Sequence, residues 1–113
     1  MFFDNEVFFR FKENCLIKGI DVPIIAGIMP ITNAGQIKRS VELSGCSFPK
    51  KFSKIIERFG DDPAKMKQAG IIYATEQIID LMANGQNNIH IYTMNKPDVA
   101  ESIMKGLSAI IDG

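Results

Sequence analysis

The sequence predicts an α/β fold made of parallel β/α units, with too few strands to close a sheet by themselves. Two observations predict it. Strand-like segments alternate with helical patterns in the order β, α, β, α-α-α, β, α, and such alternation marks parallel crossover connections. The middle strand-like segment, residues 22–28 (VPIIAGI), is apolar on successive rather than alternate residues, as in a strand buried on both faces of a parallel sheet.

The elements follow in chain order. Residues 1–3 (MFF) read as a very short first strand. Residues 6–18 place Val7, Phe8, Phe11 and Cys15 on one helical face; Asp4 or Asn5 can cap its start and Gly19 stops it. The second strand is 22–28. Residues 36–43 put Ile37 and Val41 on one side, with Lys38, Arg39 and Glu42 elsewhere. Residues 50–59 carry Phe52, Ile55, Ile56 and Phe59 at i, i+3, i+4 and i+7, an amphipathic stripe, with Pro49 suited to the first turn. The run Gly60-Asp61-Asp62-Pro63 stops this helix and starts another, Asp62 as cap and Pro63 as first helical residue. The new helix extends to Asn84, bent or broken at Gly70, and buries Ile71, Ala74, Ile78, Leu81 and Met82 before Asn84-Gly85 ends it. Residues 88–93 (NIHIYT) form the third strand, and a final helix from Pro97 turns Val99, Ile103 and Leu107 inward. The chain reads as a single partial domain over 1–113, because three strands, one of them a stub, leave open sheet edges.

Composition narrows the function. Hydrophobic residues make up 46% and charged residues 23% of the chain, a globular mixture. Thirteen basic residues balance thirteen acidic ones, so no field favours nucleic acid or an anionic membrane. No apolar run reaches the roughly 20 residues of a membrane helix, and the N-terminus has no basic signal region. Cys15 and Cys46 share no zinc-ligand spacing, so the expectation is no metal and two reduced thiols in a cytoplasmic protein.

Parallel α/β folds bind ligands beyond the carboxyl ends of their strands. Three such ends are present: Asp4-Asn5, the loop from Met29 to Gln36, and the segment from Thr93 to Pro97. In the second, Thr32 and Asn33 can cap the following helix or contact a ligand, and Gln36 offers an amide that both donates and accepts. In the third, Tyr92 offers a flat ring and a hydroxyl, Met94 an adaptable apolar surface, and Lys96 a cation for a carboxylate or phosphate. His90 sits between Ile89 and Ile91; it reads as a hydrogen-bonded interior histidine rather than a catalytic base, since no acid or nucleophile motif accompanies it. Lys50-Lys51 reads as part of a solvated face. GxSxG, HExxH, P-loop and GxGxxG patterns are all absent, and no catalytic residue is assigned.

Taken together, "FFDN", "FFRF", "GIDVPIIAGIMPITN", Gln36, "ATEQ" and "IHIYTMN" closely resemble the C-terminal part of bacterial methylenetetrahydrofolate reductases, along essentially the whole chain. The resemblance implies the last three β/α units of a (β/α)8 barrel, with the three strands as its sixth, seventh and eighth. It implies an FAD-dependent oxidoreductase of one-carbon and methionine metabolism. There, hydride passes from NADH or NADPH to the flavin and then to methylenetetrahydrofolate, giving methyltetrahydrofolate, with both substrates using one flavin face in turn.

By that match, Gln36 takes the place of a glutamine that contacts folate or the nicotinamide, Tyr92 of a tyrosine near the folate, and Met94 of its apolar neighbour. Lys96 falls where some relatives have arginine, and Ser40 where relatives can carry a stacking aromatic. The units that hold most of the FAD precede these three, so the chain alone is expected to hold no FAD, to be inactive, and to self-associate or pair with a complementing chain. The alternative expectation, from another class, is a non-catalytic module that uses this surface to associate with itself or with a protein partner.

Overall fold

The computed structural model describes residues 3–20, 22–33, 35–36, 50–92, 96–108 and 110. Within them lie four helices longer than a turn and two strands: α1 (Asn5–Ile17), β1 (Ala26–Ile28), α2 (Lys50–Phe59), α3 (Pro63–Ala83), β2 (Ile89–Ile91) and α4 (Pro97–Gly106).

Local chemistry sets the helix ends. Asp4 caps α1, its carboxylate accepting from the Glu6 N–H at 3.0 Å. Asp62 caps α3 by accepting from the Lys65 N–H at 3.3 Å, and Pro63 follows in the first turn. Both helices finish in the same way. Gly19 and Gly85 take φ values of +74° and +87°. The Ile20 N–H then reaches back to the Cys15 carbonyl at 2.9 Å, and the Gln86 N–H to the Leu81 carbonyl at 2.9 Å. Each is the six-to-one bond of a Schellman stop, which needs a residue tolerant of left-handed backbone.

β1 and β2 pair in parallel, with Ala26 opposite Ile89, Gly27 opposite His90 and Ile28 opposite Ile91. One face of this ribbon is covered by helices. Ala26 and Ile28 are buried there with Phe8 of α1, Ala74, Ile78 and Leu81 of α3, and Val99 and Ile103 of α4. A second cluster joins Phe3, Met29, Ile31, Phe52 and Met66. It ties α2 and the loop after β1 to the first half of α3, and the Phe52 and Tyr73 rings meet edge-on at 4.7 Å between centroids. Helix α3 packs against α1, α2, α4 and β1, and so forms the centre of the fold.

A buried glutamine braces the ribbon at its starting end. Gln86, 3% exposed, donates through Nε2 to the carbonyls of Ile24 at 2.7 Å and Asn88 at 2.9 Å. Its Oε1 accepts from Lys12 Nζ at 2.7 Å. The residues leading into both strands are thus fastened to the end of α3 and to α1.

Several expectations are corrected. The strand expected over 22–28 is confined to Ala26–Ile28 and is buried on one face only, with Val22 and Ile25 each 65% exposed. No helix or strand among the described residues covers its other side. Of the strand expected over 88–93, the described residues pair over Ile89–Ile91, and Thr93 lies outside them. Phe3 is buried but belongs to no strand; Met1 and Phe2 lie outside the described residues. His90 is exposed rather than interior, because it shares the uncovered face with Gly27. On α1, Phe8 and Cys15 are buried as expected, but Val7 and Phe11 point to solvent. Helix α3 runs unbroken through Gly70. The helix expected over 36–43 lies outside the described residues after Gln36, as does Cys46.

Candidate functional site

The segment Met29-Pro30-Ile31-Thr32 leaves β1 and stays buried. It can do so because α3 presents Gly70 to it. A Cβ on Gly70 would stand 1.7 Å from the Ile31 carbonyl oxygen and 3.4 Å from Thr32 Cα. Glycine in mid-helix costs about 1 kcal/mol relative to alanine, and here it permits backbone to lie directly on backbone. The sequence shows the signal, a lone glycine inside a helical pattern; its meaning is close approach, not a break.

The loop then closes on itself. Asn33 Oδ1 accepts from the Gln36 N–H at 3.0 Å, and Gln36 Oε1 accepts from the Asn33 N–H at 3.2 Å. That reciprocal pair is a capping box. Gln36 Oε1 also accepts from the Thr32 N–H at 2.8 Å and from Thr32 Oγ1 at 3.1 Å. Thr32 and Asn33 thus fasten the turn at Gly35–Gln36, at the carboxyl end of a parallel strand.

Lys96 joins the loop from the other side, its Nζ lying 3.4 Å from Thr32 Oγ1. It precedes α4, where its backbone rather than its side chain serves the helix start. The structure therefore brings Thr32, Asn33, Gln36 and Lys96 into one hydrogen-bonded group. Tyr92 stands one residue beyond β2, at the same end of the ribbon, with its N–H bonded to the Ile28 carbonyl at 2.8 Å. The residue is 42% exposed, and its ring meets His90 edge-on, 4.3 Å between centroids. These rings and Ile25 border an open depression of about 650 Å³ on the uncovered face. Met94 and Ser40 lie outside the described residues.

The first of the expected loops, Asp4-Asn5, is held by Tyr73 and Gln77 of α3, to which the sequence assigned no role. Tyr73 Oη donates to the Phe3 carbonyl at 2.7 Å. Asn5 Nδ2 donates to the Gln77 carbonyl at 3.0 Å, and Gln77 Nε2 donates to Asn5 Oδ1 at 3.1 Å. An open pocket of about 400 Å³ lies beside them, bordered by Asp4, Lys51, Glu76 and Asp80. Burial, with the Asp4 and Glu76 carboxylates adding to it, pushes the Tyr73 phenol up to about 12. Lys51, expected on a solvated face, is exposed and pairs with Glu76 at 3.3 Å. On the far side of α3, Lys67 bonds the Asp98 carboxylate and holds its pKa below the usual value.

Comparison with known proteins bears on the whole of this arrangement. The family model of methylenetetrahydrofolate reductase matches residues 1–108. The chain is 31% identical over 102 residues to the 5,10-methylenetetrahydrofolate reductase of Escherichia coli, covering 90% of this chain and 34% of that protein. It is 34% identical over 102 residues to the Buchnera aphidicola (Schizaphis graminum) protein of the same name, again 90% of this chain and 35% of the relative. It is 32% identical over 110 residues to methylenetetrahydrofolate reductase (NADH) 1 of Arabidopsis thaliana, covering 97% of this chain and 19% of that protein. The chain thus spans between a fifth and about a third of the length of these relatives. With a family model matched along nearly its full length, the chain belongs to the methylenetetrahydrofolate reductase family.

Proposed function

We propose that this chain supplies the carboxyl-terminal β/α units of a flavin-dependent methylenetetrahydrofolate reductase. In that reading β1 and β2 are the seventh and eighth strands of a (β/α)8 barrel, and the segment at Phe3 follows the sixth. The observation that carries it is the joining of Thr32, Asn33, Gln36 and Lys96 at the carboxyl edge of two parallel strands, where barrels of this kind place their ligands. The reaction is reduction of methylenetetrahydrofolate to methyltetrahydrofolate by NADH or NADPH, in the cytoplasm.

FAD, when bound, supplies the hydride carrier between the two substrates. The FAD site is assigned to the preceding units of the family barrel, with Tyr92, just past the carboxyl end of β2, as the ring this chain brings to the rim. This chain's own residues bind and orient. Tyr92 offers its ring for stacking and Met94 an apolar neighbour. Gln36, whose carbonyl is anchored on Thr32 and Asn33, offers its side-chain amide to a heterocycle edge. Lys96 offers its ammonium to a substrate carboxylate as a single point charge.

A chimaera tests this. Replacing the matching segment of the Escherichia coli relative with this chain is expected to give a protein that holds FAD and reduces methylenetetrahydrofolate with NADH. A folded, flavin-loaded chimaera that oxidises NADH but leaves folate unreduced overturns the reading.

A second reading rests on exposed apolar surface. Leu16, Ile17, Val22 and Ile25 are all largely exposed around the turn from α1 to β1, and surface of that kind favours association. As a non-catalytic module the chain would pair with itself or a protein partner through this surface. Flavin absorbance of the purified chain tests this reading, since stoichiometric bound FAD would overturn it.

A further inference from the structure

Helix α3 carries three residues, Gly70, Tyr73 and Gln77, at spacings of three and four, which place them on one face. Between them they touch two parts of the rim, Gly70 the Ile31–Thr32 backbone and Tyr73 and Gln77 the Phe3–Asn5 segment. Gly70 receives the Ile31 carbonyl and Thr32 Cα. Tyr73 Oη holds the Phe3 carbonyl. Gln77 pairs with Asn5 through its own carbonyl and its side-chain amide. The two loops are distant in sequence, and both rest on this helix beside the cluster of Phe3, Met29 and Ile31.

We propose that Gly70, Tyr73 and Gln77 are positioning residues: one face of α3 fixes the register between the Phe3–Asn5 segment and the Thr32–Gln36 loop, and with it the geometry of the folate site. The inference rests on the function proposed above for that site. It assigns none of the three to contact with substrate. Gly70 acts by being absent as a side chain, since any Cβ would drive the Ile31 carbonyl outward and carry Thr32, with its bonds to Gln36 and Lys96, along with it. Tyr73 and Gln77 act by hydrogen bonds that also satisfy groups withdrawn from water, which is why their loss is felt locally.

The test combines two variants with amide hydrogen exchange in the 113-residue chain, and with titration of 5-methyltetrahydrofolate into the chain and into the chimaera. Tyr73→Phe keeps the ring against Phe52 and removes only the bond to Phe3. It is expected to raise exchange several-fold at Asn5 and Glu6, to leave Thr32 and Asn33 unchanged, and to weaken folate binding several-fold. Gly70→Ala is expected to do the reverse to the two loops, with the same loss of affinity. Gly106→Ala, whose new Cβ would lie 3.5 Å from Thr75 Cγ2, serves as a control expected to change neither. Exchange that rises evenly over the chain, or a facing loop that does not respond, overturns the proposal. If Gly70→Ala does not fold, Tyr73→Phe decides. If the unaltered chimaera binds no folate, the proposed function fails while the exchange pattern still decides whether α3 sets the register.

Discussion

Gln36 and Asn33 cap each other: the Gln36 N–H donates to Asn33 Oδ1 at 3.0 Å, and the Asn33 N–H donates to Gln36 Oε1 at 3.2 Å. The best ligand candidate in the chain is therefore also a structural cap. Its carbonyl oxygen serves the loop, and its side-chain amide is the group proposed to serve a heterocycle.

Substitutions separate the two roles. Gln36→Ala removes both, and is expected to cost about 1 kcal/mol of stability together with folate affinity. Gln36→Glu keeps the acceptor and adds a negative charge near a helix start, favourable by about 0.3–1 kcal/mol. It should retain stability and still lose folate affinity. Urea unfolding and folate titration of the chimaera check both; equal affinity for wild type and Gln36→Glu would remove the amide nitrogen from the site.

Gln86 makes a sharper stability prediction. Gln86→Leu leaves the Ile24 and Asn88 carbonyls and the Lys12 ammonium without their shared partner. Leaving buried polar groups unsatisfied costs about 1–3 kcal/mol, so a loss in this range is expected from the urea midpoint at constant slope. Because the braced carbonyls precede β1 and β2, exchange should rise first in the two strands.

The core beneath the sheet should respond more strongly still. Ile103 is fully buried against the β1 face, and Ile103→Ala is expected to cost about 2–5 kcal/mol as transfer and cavity terms combine. Thermal unfolding of the variant beside wild type measures it.

Tyr73 predicts the alkaline limit of stability. Its phenol is raised from 10.0 to about 12 in the folded chain. Below pH 10 it is neutral in both states and its contribution is complete. Between pH 10 and 12 the unfolded chain ionises while the folded chain resists, so stability falls as pH rises through that window. Tyr73→Phe should flatten the fall, read as the urea midpoint against pH; an unchanged slope would mean the phenol is solvated.

Much of the local structure was legible because its causes are local. Asp4 and Asp62 cap with their own side chains, Gly19 and Gly85 supply the left-handed turn, and the stripes at Phe52 and Val99 announce which side of each helix is apolar. Residues at the site were legible for the same reason: Thr32, Asn33 and Gln36 form a capping pattern at a strand end, and Lys96 stands at the next one. The alternatives left open there, capping or ligand contact, share the same residue types and spacing, so one chain read alone does not choose between them.

By itself, then, the sequence determined the boundaries of the four described helices to within a residue or two, the order β1, α2, α3, β2, α4, and the family. The tertiary structure decided what depends on neighbours remote in sequence. An apolar run such as residues 22–28 says that burial is favourable, not how many faces are covered; here Ala26 and Ile28 found helices, while Val22 and Ile25 did not. His90 went to the uncovered side by the parity of β2 with Gly27. Gly70 looked like a weak point in a helix and proved to be the place where a loop backbone rests on it. Gln86 looked like one more polar residue at a helix end and proved to brace two strands and α1. Caps and periodicity are written within a few residues, whereas close approach and shared hydrogen bonds exist only once distant segments meet.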